Sequence, residues 1–189
     1  MTALQLLLVE DEDTLVSQYK DVLGEYVQQH GRDIEMHVCR TLDDAKSSLN
    51  ASIDAAIVDL NLGKDTTEGG ELIDEIKEHF RVPVAVLTGT PDDADDNPPV
   101  IEVFTKGKDG FEDVLHRLWE PYMIGLTRIM GGRGLLEERL NRVFLKNLLP
   151  TLDTWIGYGR SNADRTEKAL LRYALGHMVA DLEGDETPT

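Results

Sequence analysis

The sequence lacks the features of several large protein classes. A single cysteine, Cys39, stands among 189 residues, which excludes an internal disulfide and fits a reducing cytoplasm. We expect no membrane anchor, because the apolar stretch 6–9 is too short for a signal peptide and has no basic flank. We therefore expect a soluble globular protein of the cytoplasm.

Positive charge is also scarce. The chain has 19 Lys and Arg against 36 Asp and Glu, a net charge of −17. Residues 1–120 contain 10 Lys and Arg against 27 acids, whereas residues 121–189 contain 9 of each. The excess negative charge therefore lies in the first part. Such a balance offers no basic surface for phosphate backbones, and we expect no direct binding to nucleic acid.

The first 120 residues alternate between short apolar runs and amphipathic helical patterns. Apolar runs of strand length occur at 4–9, 34–39, 54–59, 83–87 and 100–104. This alternation predicts an α/β fold with a doubly wound, five-stranded parallel sheet. The acidic segment 91–99 has neither helical periodicity nor helix formers, so we expect the fourth helix to be short or absent.

Reactive side chains follow four of the predicted strands. They are Glu10 and Asp11 after the first, Asp59 after the third, Thr88 after the fourth and Lys106 after the fifth. The carboxyl ends of parallel strands border one crevice, which brings these side chains together. Two carboxylates 4 Å apart repel by about 4 kcal/mol at an effective dielectric near 20, and Mg²⁺ is a suitable counter-ion. No Ser–His pair or reactive cysteine motif is near, so Asp59 is the candidate nucleophile toward phosphorus.

These stretches resemble the motifs of the receiver domains of two-component response regulators, over roughly residues 3–120. The stretches are Val9-Glu10-Asp11-Glu12 for the acidic motif, Ile57-Val58-Asp59-Leu60 for the phosphoacceptor, Leu87-Thr88-Gly89 for the switch threonine and Phe104-Thr105-Lys106 for the lysine strand. The resemblance implies a flavodoxin-like receiver domain over residues 1–120. It also implies signalling by phosphorylation rather than enzymatic activity.

The resemblance assigns a role to each strand-end residue. Asp59 corresponds to the phosphorylated aspartate, and Glu10 and Asp11 to the metal pocket, where the backbone carbonyl of Asn61 is a further Mg²⁺ ligand. Thr88 and Lys106 correspond to the residues that bind the phosphoryl oxygens. The implied phosphoryl donor is a histidine kinase or a phosphotransfer protein, with Mg²⁺ as the cofactor.

Two positions depart from the receiver pattern. Gly107 follows Lys106 where receivers usually have proline, so we expect this loop to run differently. Val103 occupies the usual place of the switch aromatic, and Phe104 stands one place later. A shift of one place along a strand moves a side chain to the opposite face, which predicts an altered coupling between Thr88 and the aromatic ring.

Residues 121–189 continue with helical spacing and predict an α-helical extension. Glycines at 131–134 and 157–159 indicate breaks between its helices, and residues 184–189 are expected to be disordered. The apolar stripes of these helices need a partner surface, either on the receiver or in a homodimer. The near-neutral charge does not suit a DNA-binding helix-turn-helix module.

Three other functions stay open. Arg172 and His177 have a spacing that resembles the HEPN ribonuclease motif, which suggests a receiver-regulated nuclease, although they lie about 140° apart around a helix. The second is that His177 alone is a phosphotransfer histidine. The third is a scaffold that keeps the receiver pocket without phosphorylation.

Overall fold

The computed structural model describes residues 3–63, 68–91 and 101–184. The chain forms two compact units, Met1–Gly134 and Leu135–Thr189. Two predictions fall outside the described residues. They are, apart from Pro91 and Gly184, the short or absent fourth helix predicted for 91–99 and the disordered end predicted for 184–189. Within the described residues, no helix is both long enough and apolar enough to span a membrane.

The first unit is built on a five-stranded parallel sheet in the order β2-β1-β3-β4-β5. The strands are β1 (Leu4–Val9), β2 (Ile34–Cys39), β3 (Ala55–Val58), β4 (Val84–Thr88) and β5 (Val103–Thr105). Val9 pairs with Cys39 on one side and with Val58 on the other, so the central strands end level with one another. The predicted doubly wound sheet is confirmed.

Helices cover both faces of this sheet. They are α1 (Asp13–His30), α2 (Leu42–Ser48), α3 (Glu68–His79) and α4 (Lys108–Met123), and the short helix α5 (Leu126–Met130) follows α4. Leu6 and Leu8 of β1 point to the core beneath α1 and α4, whereas Leu7 and Val9 point to the core beneath α2 and α3. Because β1 and β3 are buried on both faces, their sequences are continuous apolar runs.

The first unit extends beyond the boundary predicted after residue 120. Helix α4 runs through that boundary to Met123, and residues 124–134 stay with the sheet. The Arg81 side chain donates to the carbonyl of Met130 at 2.6 Å, and Arg133 donates to Asp54 at 2.7 Å. A Cβ on Gly132 would meet the Cα of Ala51 at 2.7 Å, so this segment approaches the backbone closely. These contacts are the reason that the unit ends at Gly134.

The second unit is helical, as predicted. It consists of α6 (Leu135–Val143), a π-helical turn (Phe144–Leu148), a 3₁₀ turn (Leu149–Thr151), α7 (Leu152–Ser161) and α8 (Ala163–Gly184). Arg139 and Arg142 of α6 both donate to Asp181 of α8, at 3.1 and 3.2 Å. The rings of Trp155 and Tyr173 pack edge to face and join α7 to α8.

One predicted helix break is confirmed and the other is wrong. Gly131 ends α5, and α6 begins at Leu135 after the glycine-rich turn. Helix α7, in contrast, runs through Gly157 and Gly159, neither of which has a positive φ. A glycine inside a helix costs about 1 kcal/mol relative to alanine, which tertiary packing can offset. Packing of α7 against α8 therefore overrides the local signal.

Candidate functional site

The carboxyl edge of the sheet gathers the reactive residues in a fixed backbone frame. The N–H of Asp59 donates to the carbonyl of Val9 at 3.0 Å, one residue beyond the end of β3. The N–H of Lys106 donates to the carbonyl of Thr88 at 2.9 Å, one residue beyond the end of β5. Because these bonds continue the sheet pairing, the side chains start from rigid positions rather than from mobile loops.

Lys106 connects two buried carboxylates from different strand ends. Its Nζ lies 2.8 Å from Oε2 of Glu10 and 2.8 Å from Oδ2 of Asp59. The Glu10 and Asp59 side chains are 1% and 2% exposed, and that of Lys106 is 20% exposed. The lysine reaches across β4, which lies between β3 and β5 in the sheet. Three of the predicted site residues are thus in direct contact.

Burial sets the electrostatics of this contact. Burial raises the pKa of the Glu10 carboxyl, and the hydrogen bond from Lys106 only partly offsets the effect. Burial by itself lowers the pKa of Lys106, but hydrogen bonds to Asp59 and Glu10 outweigh it, so the pKa of the ammonium is raised. Lys106 therefore holds its proton more firmly than a free lysine, and burial disfavours the ionised form of Glu10.

Asp11 adds a third carboxylate at the solvent side. It is exposed, and its Oδ2 accepts a hydrogen bond from the N–H of Gly63 at 3.0 Å. Carboxylate oxygens of Glu10, Asp11 and Asp59 all lie within 4.8 Å of one another. Among the described residues, three carboxylates against one ammonium leave two formal negative charges. Such an all-oxygen site fits a hard divalent cation such as Mg²⁺.

A chain of hydrogen bonds links Asp59 to Thr88 indirectly. The N–H of Asn61 donates to Oδ1 of Asp59 at 3.2 Å, and its side-chain amide donates to Oγ1 of Thr90 at 3.1 Å. The N–H of Thr90 donates in turn to Oγ1 of Thr88 at 3.3 Å. The described residues show no direct hydrogen bond between Thr88 and Asp59. Sequence reasoning missed Thr90, although its place two residues after Thr88 was a signal.

The role of the Asn61 carbonyl as a metal ligand stays a prediction.

Comparisons with family models and with curated proteins gave no match. Solved structures do match. The signal receiver domain of a putative LuxO repressor protein from Vibrio parahaemolyticus has 20% identity and a TM-score of 0.50, covering 67% of this chain and 98% of that chain. The signal receiver domain of a DNA-binding response regulator protein (merR) from Colwellia psychrerythraea 34H has 18% identity and a TM-score of 0.51, covering 62% and 98%. The first unit has the receiver-domain fold.

The receiver unit, residues 3–134, differs from the family pattern where the sequence indicated. Val103 packs against the core beneath α2 and α3, and Phe104 against the core beneath α1 and α4. The two side chains therefore occupy opposite faces, as predicted. Gly107 has φ 133°, which a proline ring, fixed near −65°, cannot adopt. The loop after Lys106 thus follows a path that the usual proline would forbid.

Among the described residues of the second unit, Arg172 and His177 do not form a nuclease site. Arg172 is exposed and has no hydrogen bond or ion pair with any residue that the structure describes. His177 is half-buried, and its ring lies 4.4 Å from that of Tyr173. Tyr173 donates from its hydroxyl to the carbonyl of Asn147 at 3.4 Å. His177 therefore takes part in an aromatic packing cluster, and no observation favours the nuclease or phosphotransfer alternatives.

Proposed function

We propose that this protein is a response regulator that accepts a phosphoryl group on Asp59. The observation that carries the proposal is the bridge from Lys106 to Glu10 and Asp59, with Asp11 beside it. It combines a nucleophilic carboxylate, a fixed positive charge and a site for a divalent cation at one sheet edge. Phosphoryl transfer needs this combination of charges, because its catalysis depends on positioning and on electrostatic stabilisation.

In the proposed reaction, an oxygen of Asp59 attacks the phosphorus of a phosphohistidine. The donor is a histidine kinase or a phosphotransfer protein. The new O–P bond forms as the P–N bond breaks, and the histidine nitrogen regains a proton. Lys106 holds one oxygen of Asp59 and the N–H of Asn61 holds the other, which fixes the carboxylate before attack.

Other residues then receive the phosphoryl oxygens. Lys106 supplies a compact positive charge at 2.8 Å from Asp59, and the Thr88 hydroxyl is available as a donor at the next strand end. Glu10, Asp11 and Asp59, with the Asn61 carbonyl, would hold Mg²⁺, which would offset the negative charge gathered there. The change in charge on Asp59 alters the hydrogen bonds that connect Asp59 to Thr88 through Asn61 and Thr90.

We propose that the helical unit transmits the signal by protein–protein contact in the cytoplasm, without enzymatic activity or direct nucleic-acid binding. Of its described residues, only Val143 and Met178 are almost fully buried. Its exposed apolar side chains include Phe144, Leu145, Leu171, Leu175 and Val179. Apolar surface of this kind favours association, and a homodimer is the simplest partner arrangement.

Intact-mass spectrometry after treatment with acetyl phosphate and Mg²⁺ tests the phosphoacceptor. The wild-type chain should gain one phosphoryl group, and Asp59→Asn should gain none. Asp74→Asn, which removes an exposed carboxylate on α3, is the matched control and should keep the adduct. An unmodified wild-type mass would contradict the proposal and favour a non-phosphorylated scaffold.

Light scattering of the same samples tests the role of the helical unit. We expect the phosphorylated and unphosphorylated chains to differ in the weight-average molar mass that light scattering measures. Leu171→Glu and Leu175→Glu, which place charge on exposed positions of α8, should weaken self-association. A monomer of unchanged size in every sample would contradict the homodimer.

A further inference from the structure

A second set of ligand-type side chains lies away from Asp59, between α1 and α4. His30 is the last residue of α1, and Glu112 and His116 belong to α4. One ligand atom from each of the three lies within 4.8 Å of the other two. His30 is exposed, and Glu112 and His116 are half-buried. An ion from solvent can therefore reach the cluster, which is backed by the core of the receiver unit.

The packing of two helices brings the three groups together. Glu112 and His116 are four residues apart, so they lie on one face of α4 a turn apart. Helix α1 stops at His30 because Gly31 adopts a left-handed conformation, with φ 61°. The buried Tyr26 ring lies edge-on to the His116 ring at 5.0 Å. The third ligand thus comes from a fixed helix end.

The donor set decides which cation suits this cluster. Two imidazoles and one carboxylate, with an open fourth position for water, suit tetrahedral Zn²⁺ and its neighbours in the transition series. Mg²⁺ prefers oxygen ligands alone, so it belongs at the Asp59 site. We propose that His30, Glu112 and His116 form a binding site for a divalent transition metal ion of the zinc class.

Arg32 competes with the metal for this site. Its Nη1 lies 3.3 Å from Nδ1 of His116, and its guanidinium lies over the rings of Tyr26 and Trp119 at 4.9 and 5.2 Å. An arginine always donates, so this contact occupies the lone pair on Nδ1. It also places a positive charge beside the incoming cation. Metal binding therefore displaces Arg32 from His116, and removal of the guanidinium strengthens binding.

Calorimetric titration of the 189-residue chain with zinc chloride tests the site. The buffer contains enough Mg²⁺ to saturate the carboxylate site. Saturation with Mg²⁺ separates the result from the carboxylate site and from the proposed phosphoryl transfer. We expect one zinc ion per chain. His30→Ala and His116→Ala should each weaken binding by about tenfold or more, because loss even of a supporting partner of a ligand costs about 10–100-fold. Arg32→Gln should bind more tightly than the wild type.

The chain supplies a matched control on another helix. Glu75 and His79 of α3 have the same four-residue spacing, with 3.8 Å between Oε1 and Nε2, and the structure gives them no third ligand from another described element. His79→Ala should therefore leave the zinc affinity unchanged. Zinc should also raise the Tm of the wild type and of His79→Ala, but not that of His30→Ala.

Three results would overturn the site. They are no measurable binding, equal affinity in the wild type and in His30→Ala, or equal losses in His30→Ala and His79→Ala. His30 is exposed at a helix end, so its replacement leaves the core intact and keeps the test valid even where His116→Ala unfolds. Weaker binding by Arg32→Gln would overturn the competition by Arg32.

Discussion

Asp54 and Asp59 lie at opposite ends of β3, and each is a buried carboxylate with a cationic partner. Oδ2 of Asp54 accepts from Arg133 at 2.7 Å and from the N–H of Gln5 at 3.0 Å. Oδ2 of Asp59 accepts from Lys106 at 2.8 Å. The Asp54 and Asp59 side chains are 4% and 2% exposed, so burial does not distinguish them.

The two ends differ in charge balance. At the amino end, one carboxylate meets one guanidinium, and the pair fixes residues 124–134 to the sheet. At the carboxyl end, the described residues give Glu10, Asp11 and Asp59 a single ammonium, so negative charge is left for a divalent cation. A buried carboxylate is therefore no sign of reactivity by itself. An excess of negative over positive charge around the carboxylate distinguishes a candidate reaction site from a structural ion pair.

Removal of Lys106 should have the largest effect. Lys106→Met leaves Glu10 and Asp59 buried without a cation, and loss of one partner of a buried pair costs about 3 kcal/mol. We expect the free energy of unfolding, measured in urea, to fall by this amount, and Mg²⁺ to restore part of it. Equal losses with and without Mg²⁺ would mean that the three carboxylates do not hold the ion.

Removal of Arg133 should have a smaller effect that does not depend on Mg²⁺. Arg133→Met leaves Asp54 with only the N–H of Gln5, but Arg133 is 41% exposed, so we expect about 2 kcal/mol. The measurement is the same urea titration.

Arg128→Met is the control for Arg133→Met. Arg128 lies in the same segment, is exposed, and has no ion-pair partner among the described residues, so its removal should change stability by less than about 0.5 kcal/mol. A Mg²⁺-dependent loss in Arg133→Met would remove the distinction between the two sheet ends.

Replacement of Glu10 should change stability with the opposite sign to the removal of Lys106 or Arg133. Burial raises the pKa of Glu10 above its ordinary value of 4.5, so the unfolded chain loses this proton first as pH rises. The free energy of unfolding therefore falls between pH 4.5 and the raised pKa, and the deficit persists at higher pH. Without Mg²⁺, Glu10→Gln should therefore be more stable than the wild type at pH values above the raised pKa.

The pH dependence provides the check on Glu10→Gln. Thermal melts without Mg²⁺ should show the advantage of the variant above the raised pKa and its disappearance below pH 4.5, where the wild-type carboxyl is also protonated. An advantage that is constant with pH would assign the gain to packing rather than to charge. Addition of Mg²⁺ should stabilise the wild type more than the variant, because the variant lacks one carboxylate ligand.

The sequence by itself determined the sheet and most of the carboxyl-edge site. Strand periodicity and burial on both faces are local properties of runs such as Leu4–Val9, and connections through helices make such strands parallel. Parallel strands end at one edge, so Glu10, Asp11, Asp59 and Lys106 had to converge there. Alternation along β5 likewise placed Val103 and Phe104 on opposite faces.

Only the tertiary structure decided the contacts between distant parts of the chain. Arg133 pairs with Asp54 across 79 positions, and Arg32 meets His116 across 84. No local period or spacing encodes such pairs, because they depend on how packed elements meet. The same reason explains Gly157 and Gly159, whose helix-breaking tendency yields to packing between α7 and α8. Local patterns fix elements and edges, whereas the pairing of charges, and hence the difference between Asp54 and Asp59, arises only in the assembled fold.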